Sequence, residues 1–118
     1  MQALRFFSLL LWLALSTTIA RAHAQLDHAS PLVGSTVTSA PSEVRLWFTQ
    51  PLEPRFTSAQ LRSSKGATIA TGGVDAADSK QIVIRVHSLP PGNYKVLWRV
   101  LSVDSHHTEG SFVFEVKP

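Results

Sequence analysis

An all-β sandwich of about seven short strands is the fold class this 118-residue sequence predicts, on three observations. Apolar residues recur with period two in several short runs, the mark of half-buried strands. Turn residues, chiefly Gly and Pro, fall between those runs every 8–12 residues or about that. Beyond residue 22 no stretch carries the 3.6-residue periodicity of an amphipathic helix.

The first element is not part of that fold. Arg5 precedes "FFSLLLWLAL" (Phe6–Leu15), apolar apart from Ser8, and the run leaves through "ARAHAQ" at 20–25. A basic start, an apolar middle and a small-residue exit match a secretory signal peptide. The apolar middle is short for a membrane span, which needs roughly 20 residues. Two overlapping cleavage triplets are present, Ala20-Arg21-Ala22 and Ala22-His23-Ala24. A cut after Ala22 makes His23 the first mature residue, and a cut after Ala24 discards it. The expected organisation is a signal peptide over 1–22 and one domain over 23–118.

The strands follow. Val44, Leu46 and Phe48 alternate with Glu43, Arg45, Trp47 and Thr49. "FTSAQLRS" (Phe56–Ser63) alternates more weakly, and "KQIVIRV" (Lys80–Val86) places Ile82, Ile84 and Val86 on one face. "NYKVLWRVLSV" (Asn93–Val103) reads as apolar on both faces, as a central strand would be, with Trp98 as a core aromatic. Phe112, Phe114 and Val116 alternate with their neighbours over Ser111–Lys117 to close the chain. Breaks are expected at Ser64-Lys65-Gly66, Gly72-Gly73 and Pro90-Pro91-Gly92. Pro41, Pro51 and Pro54 limit strand extension, because proline cannot donate to a ladder. The spacing points to a Greek-key β-sandwich of the immunoglobulin-like type.

Composition narrows the function. Without Arg5 and Arg21, nine of the eleven Lys and Arg remain against all eight acidic residues, a net charge of +1. No basic stripe with interleaved aromatics survives, so nucleic acid is not an expected ligand. The chain has no cysteine, which removes thiolate metal sites and thiol catalysis. A small exported domain without disulfides must stand on its packing, with a bound metal as one source of help.

Five histidines are candidates for chemistry: His23, His28, His87, His106 and His107. His87 sits between a strand and a proline turn and reads as a surface residue. His28, among Asp27, Ala29 and Ser30, reads as an edge or solvent-facing residue close in sequence to His23. "SVDSHHTEG" (Ser102–Gly110) differs, because Asp104 and His106 are two apart and in extended chain share one side. His107 would face the other way. Asp-x-His alone is also what a surface hydrogen-bonded pair looks like.

An N-terminal His23 would add a third and fourth donor, its α-amine and its ring. Their reference pKa values, about 7.7–8.0 and about 6.5, let a competing metal displace the protons near neutral pH. Three nitrogens and one oxygen in tetragonal array suit Cu(II), which also tops the divalent affinity order. Zinc uses the same ligand types, and Cu(II) is the better match.

With these residues in view, the chain resembles the CopC family of small periplasmic copper-binding proteins. The resemblance spans the domain and rests on "HAQLDHASPLVGS" (23–35), "VRLWFTQPL" (44–52), "LPPGNYKVLWRVLSVDSHHTEGSF" (89–112) and "FEVK" (114–117). It implies an immunoglobulin-like sandwich and one Cu(II) per chain, held by His23 through amine and ring, Asp104 and His106. It also implies a carrier or buffer in copper homeostasis and resistance, a monomer, alongside an inner-membrane copper transporter of the CopD type. Three departures stand out. The only methionine is Met1, so "SSKGATIATGG" offers no thioether and no Cu(I) methionine site is expected. Gln50 replaces an acidic residue that many relatives carry, and His107 replaces the more usual proline, which should loosen the turn.

Other classes fit less well. An oxidative enzyme built on an N-terminal histidine shares the first two ligands, but Asp104 would fill the position that oxygen activation needs. A Ser-His-Asp relay is not expected from Ser102, Ser105 or Ser111, which share one segment with Asp104 and His106. A metal-free sandwich serving as an interaction module is the remaining alternative. No catalytic residue is therefore assigned.

Overall fold

The computed structural model describes residues 24–118; the expected signal peptide and His23 lie outside the described residues. Eight strands are present among those residues: β1 (Leu26–Ser30), β2 (Thr36–Val37), β3 (Glu43–Phe48), β4 (Ser58–Ser63), β5 (Thr68–Val74), β6 (Gln81–Arg85), β7 (Gly92–Leu101) and β8 (His107–Val116). They form one hydrogen-bonded order, β1-β3-β6-β5-β4-β7-β8-β2, which folds into an immunoglobulin-like β-sandwich. β5 joins the halves, since it pairs with β4 on one side and β6 on the other. All pairings are antiparallel except β2 with β8.

Period-two patterning determines which side chains enter the core. Val44, Leu46 and Phe48 from β3 and Ile82 and Ile84 from β6 are buried. They pack in one cluster with Ala59 and Leu61 of β4, Val96 and Val100 of β7, and Phe112 and Phe114 of β8. Tyr94 stacks on Phe114 at 5.6 Å, and its hydroxyl donates back to the Pro90 carbonyl. That corner at the start of β7 is a device of immunoglobulin-like sandwiches.

Five expectations need correction. Gly72-Gly73 is not a break but lies inside β5. A Cβ on Gly72 would overlap the Val83 carbonyl oxygen and crowd Ile84, so this glycine permits the close approach of β5 to β6. β7 is not apolar on both faces: Tyr94, Val96 and Val100 are buried, while Asn93, Lys95 and Arg99 are exposed. Its central position in the hydrogen-bonded order does not require two dry faces, because the sandwich covers one. Phe56 is not in a strand; Pro54–Phe56 forms a 3-10 turn and β4 begins at Ser58. β8 starts four residues before Ser111, at His107, and pairs with β7 along its whole length. Trp98, expected in the core, is partly buried, edge-on to Phe48 at 5.2 Å. Its indole covers Gly110, where any Cβ would collide with the ring.

Candidate metal centre

A hairpin turn joins β7 to β8, and both Asp104 and His106 sit on it. Leu101 pairs with His107, and the residues between form the turn. Ser105 takes φ 72°, an uncommon left-handed conformation for a residue with a Cβ. Backbone bonds close the turn, from the Ser102 amide to the His106 carbonyl at 3.0 Å and from the Ser105 amide to the Ser102 carbonyl at 2.9 Å. The convergence expected from extended chain is therefore reached in another way: the turn folds the two side chains together. His106 Nδ1 lies 3.4 Å from Asp104 Oδ1.

Both side chains stay accessible, at 39% for Asp104 and 45% for His106. The Ser102 hydroxyl donates to Asp104 Oδ1. That bond, opposed by partial desolvation and aided by His106, holds the Asp104 carboxyl below the usual carboxylate range. Asp104 is thus an anion at neutral pH, the form in which a carboxylate binds a metal.

The N-terminal segment meets the same end of the sandwich. Ala24 is fully buried, and its carbonyl accepts a 2.9 Å bond from Thr108 Oγ1, two residues beyond His106. Gln25 exchanges bonds with Thr49, amide to Oγ1 at 3.0 Å and carbonyl from the Thr49 amide at 2.9 Å. Leu52 bridges to Ser102, and the Val103 amide donates to the Pro51 carbonyl. Gln50, half-buried, lies between these contacts on the segment after β3.

The other histidines have other surroundings. His28 lies on the edge strand β1, stacked on Trp47 at 4.4 Å and 11°, with Nδ1 2.6 Å from Asp27. His87 and His107 are exposed. Among the described residues, no three His, Asp or Glu side chains form a metal-binding group. His23 lies outside them. A concavity of about 540 Å³ lies elsewhere, on the outer face of β4, β7 and β8, where Arg99 pairs with Glu109. It contains neither Asp104 nor His106. Sequence reasoning weighed Ser102 only as a relay serine and passed over Thr108; the only signal was their flanking of Asp104 and His106.

Comparison with known proteins bears on the domain as a whole. The sequence model of the CopC domain matches residues 26–117. Protein YobA of Escherichia coli K12 is 36% identical over 119 residues, spanning 98% of this chain and 96% of that protein. Copper resistance protein C of Pseudomonas syringae pv. tomato is 36% identical over 111 residues, 87% of each chain. The crystal structure of CopC from Methylosinus trichosporium OB3b superposes with a TM-score of 0.76 at 32% identity, covering 81% of this chain and 95% of that one.

Proposed function

The chain belongs to the CopC family, and from that premise we propose that it is a periplasmic Cu(II)-binding protein, a carrier or buffer in copper homeostasis. The mature chain begins at His23 after removal of residues 1–22. One Cu(II) is held by the His23 amine and ring, Asp104 and His106. The observation that carries the reading is the Asp104–His106 pair, 3.4 Å apart, with its carboxylate ionised and both side chains open to solvent.

The anchoring of Ala24 supports the third residue of the set. Consecutive Cα atoms are about 3.8 Å apart, so whatever precedes Ala24 starts beside a residue clamped to Thr108. Cutting after Ala22 would put a free amine and an imidazole there at once. Three nitrogens and one carboxylate oxygen suit Cu(II). With Met1 as the sole methionine, Cu(I) thioether ligation is not part of this reading. Exposed ligands on a turn suit exchange with a partner, and we assign that partner to an inner-membrane transporter of the CopD type. The role is binding and delivery rather than catalysis, by a monomer.

Mass spectrometry of the exported protein should give His23 as the first residue. Titration of that processed chain should show one tight Cu(II), lost in His106→Ala. Equal affinities in the two proteins would overturn the assignment. A metal-free interaction module predicts instead that copper leaves the melting temperature unchanged, whereas a ligand bound only by the native state must raise it.

A further inference from the structure

We infer that Ser102 is the positioning residue of the copper site, resting on the reading above. It is fully buried, while residues 103–107 that follow it are exposed. Every polar group it has is spent on the next four residues. Its amide donates to the His106 carbonyl at 3.0 Å, and its carbonyl accepts from the Ser105 amide at 2.9 Å. Its hydroxyl lies against Asp104 Oδ1 and is 3.3 Å from both the amide and the carbonyl of His106. A hydroxyl has one hydrogen and two lone pairs. The closer contact takes the hydrogen, to Asp104, and a lone pair accepts the His106 N–H.

One side chain thus fixes the carboxylate of one ligand and the backbone of the other. Neither ligand is packed in the core, and Ser105 between them is in the left-handed region, a conformation that persists only where its surroundings impose it. Without the hydroxyl, Asp104 is free to rotate and the His106 amide turns to water. The two donors then no longer present one geometry to an ion. Side chains that orient metal ligands in this way alter affinity by about 10–100-fold when removed.

Ser102→Ala adds no atom and tests the inference directly on the processed chain. Cu(II) affinity should fall about tenfold, with a changed electron paramagnetic resonance spectrum, and Ser102→Thr should restore the wild-type spectrum. In an Asp104→Ala background the same change at 102 should have a smaller further effect on the spectrum, because only the His106 backbone is left for the hydroxyl to hold. Wild-type affinity and spectrum in Ser102→Ala, alongside loss of copper in His106→Ala, would overturn this inference alone. Retention of copper by His106→Ala would overturn the copper reading and this one with it. A measurement independent of any variant is amide exchange in the copper-free protein. The His106 amide should be protected despite its exposed side chain, and exchange at the unstructured rate would overturn the inference.

Discussion

Asp75 and Asp104 follow the ends of β5 and β7, in turns, and both carboxyls are held below the ordinary range, yet they have opposite surroundings. Asp75 accepts from the Ala77 amide at 3.1 Å and from Arg45 at 2.7 Å. Arg45 also reaches Gln81 at 2.8 Å and Glu43 at 3.2 Å, so two strands and a turn close around a permanent cation. Asp104 has instead a hydroxyl and an imidazole. A guanidinium keeps its protons, with pKa above about 12, and cannot make way for a metal. An imidazole can surrender its proton and become a ligand. A depressed carboxylate by itself does not mark a metal site. In the proposed reading, the guanidinium beside Asp75 and the imidazole beside Asp104 separate a clasp from a ligand.

The sharpest way to break this contrast is to exchange the losses. His106→Ala should weaken Cu(II) binding by at least about 100-fold, or about 2.8 kcal/mol at 1.4 kcal/mol per decade. It should leave the copper-free melting temperature unchanged. Arg45→Met should do the reverse, lowering the melting temperature of the copper-free chain by several degrees and leaving copper affinity within twofold or so. Calorimetric titration and thermal melts on the same two variants decide the matter. Copper loss in Arg45→Met would show that the two clusters are not separate.

Acid should separate the clusters less sharply. The carboxyls of Asp75, Asp78 and Asp104 are depressed in the fold, Asp75 mainly by the Ala77 amide and Arg45, Asp78 by the Lys80 amide and Gln81. A folded pKa below the unfolded value, about 3.9 for Asp, gives stability that is complete above that value. It is lost as pH falls through the folded pKa. Denaturant midpoints of the copper-free protein should therefore drop as pH falls below about 4. Asp75→Asn should start lower at neutral pH and fall less steeply. An unchanged slope would mean that the Arg45 clasp contributes no proton-linked stability.

How much of this was legible in the sequence depended on the range of the contacts. β3, β6 and the end of β8 followed from alternation, because a strand with one buried face writes its period into the chain. β1 and β2 did not: β1 buries Ala29 alone without alternation, and the two residues of β2 beside Glu115 and Val116 leave no period to read. Gly72-Gly73 misled because glycine serves both a turn and a close approach, and only the neighbour across β6 distinguishes them. Asp104 and His106 were legible as a pair two residues apart, although the turn that unites them was not. Ser102 gave no signal beyond its place beside Asp104 and His106, since a serine reads alike whether exposed or buried against a carboxylate. The bond from Thr108 to Ala24 spans 84 residues, beyond any local pattern.

That long-range bond gives the smallest expected effect. Thr108→Val keeps the shape of the side chain and removes the hydroxyl that holds the Ala24 carbonyl. A neutral hydrogen bond contributes about 0.5–1.5 kcal/mol net, so the ratio of docked to undocked N-terminus should fall by roughly two- to tenfold. Because binding draws only on the docked form, apparent copper affinity should fall by at most that factor. The Asp104–His106 turn should be untouched, with the His106 amide exchanging as in the unmutated chain. Unaltered affinity in Thr108→Val, with copper still lost in His106→Ala, would show that the proposed N-terminal ligands reach the ion without the Thr108 bond. The clasp at Arg45 would then have no counterpart at the N-terminus, and the turn alone would organise the site.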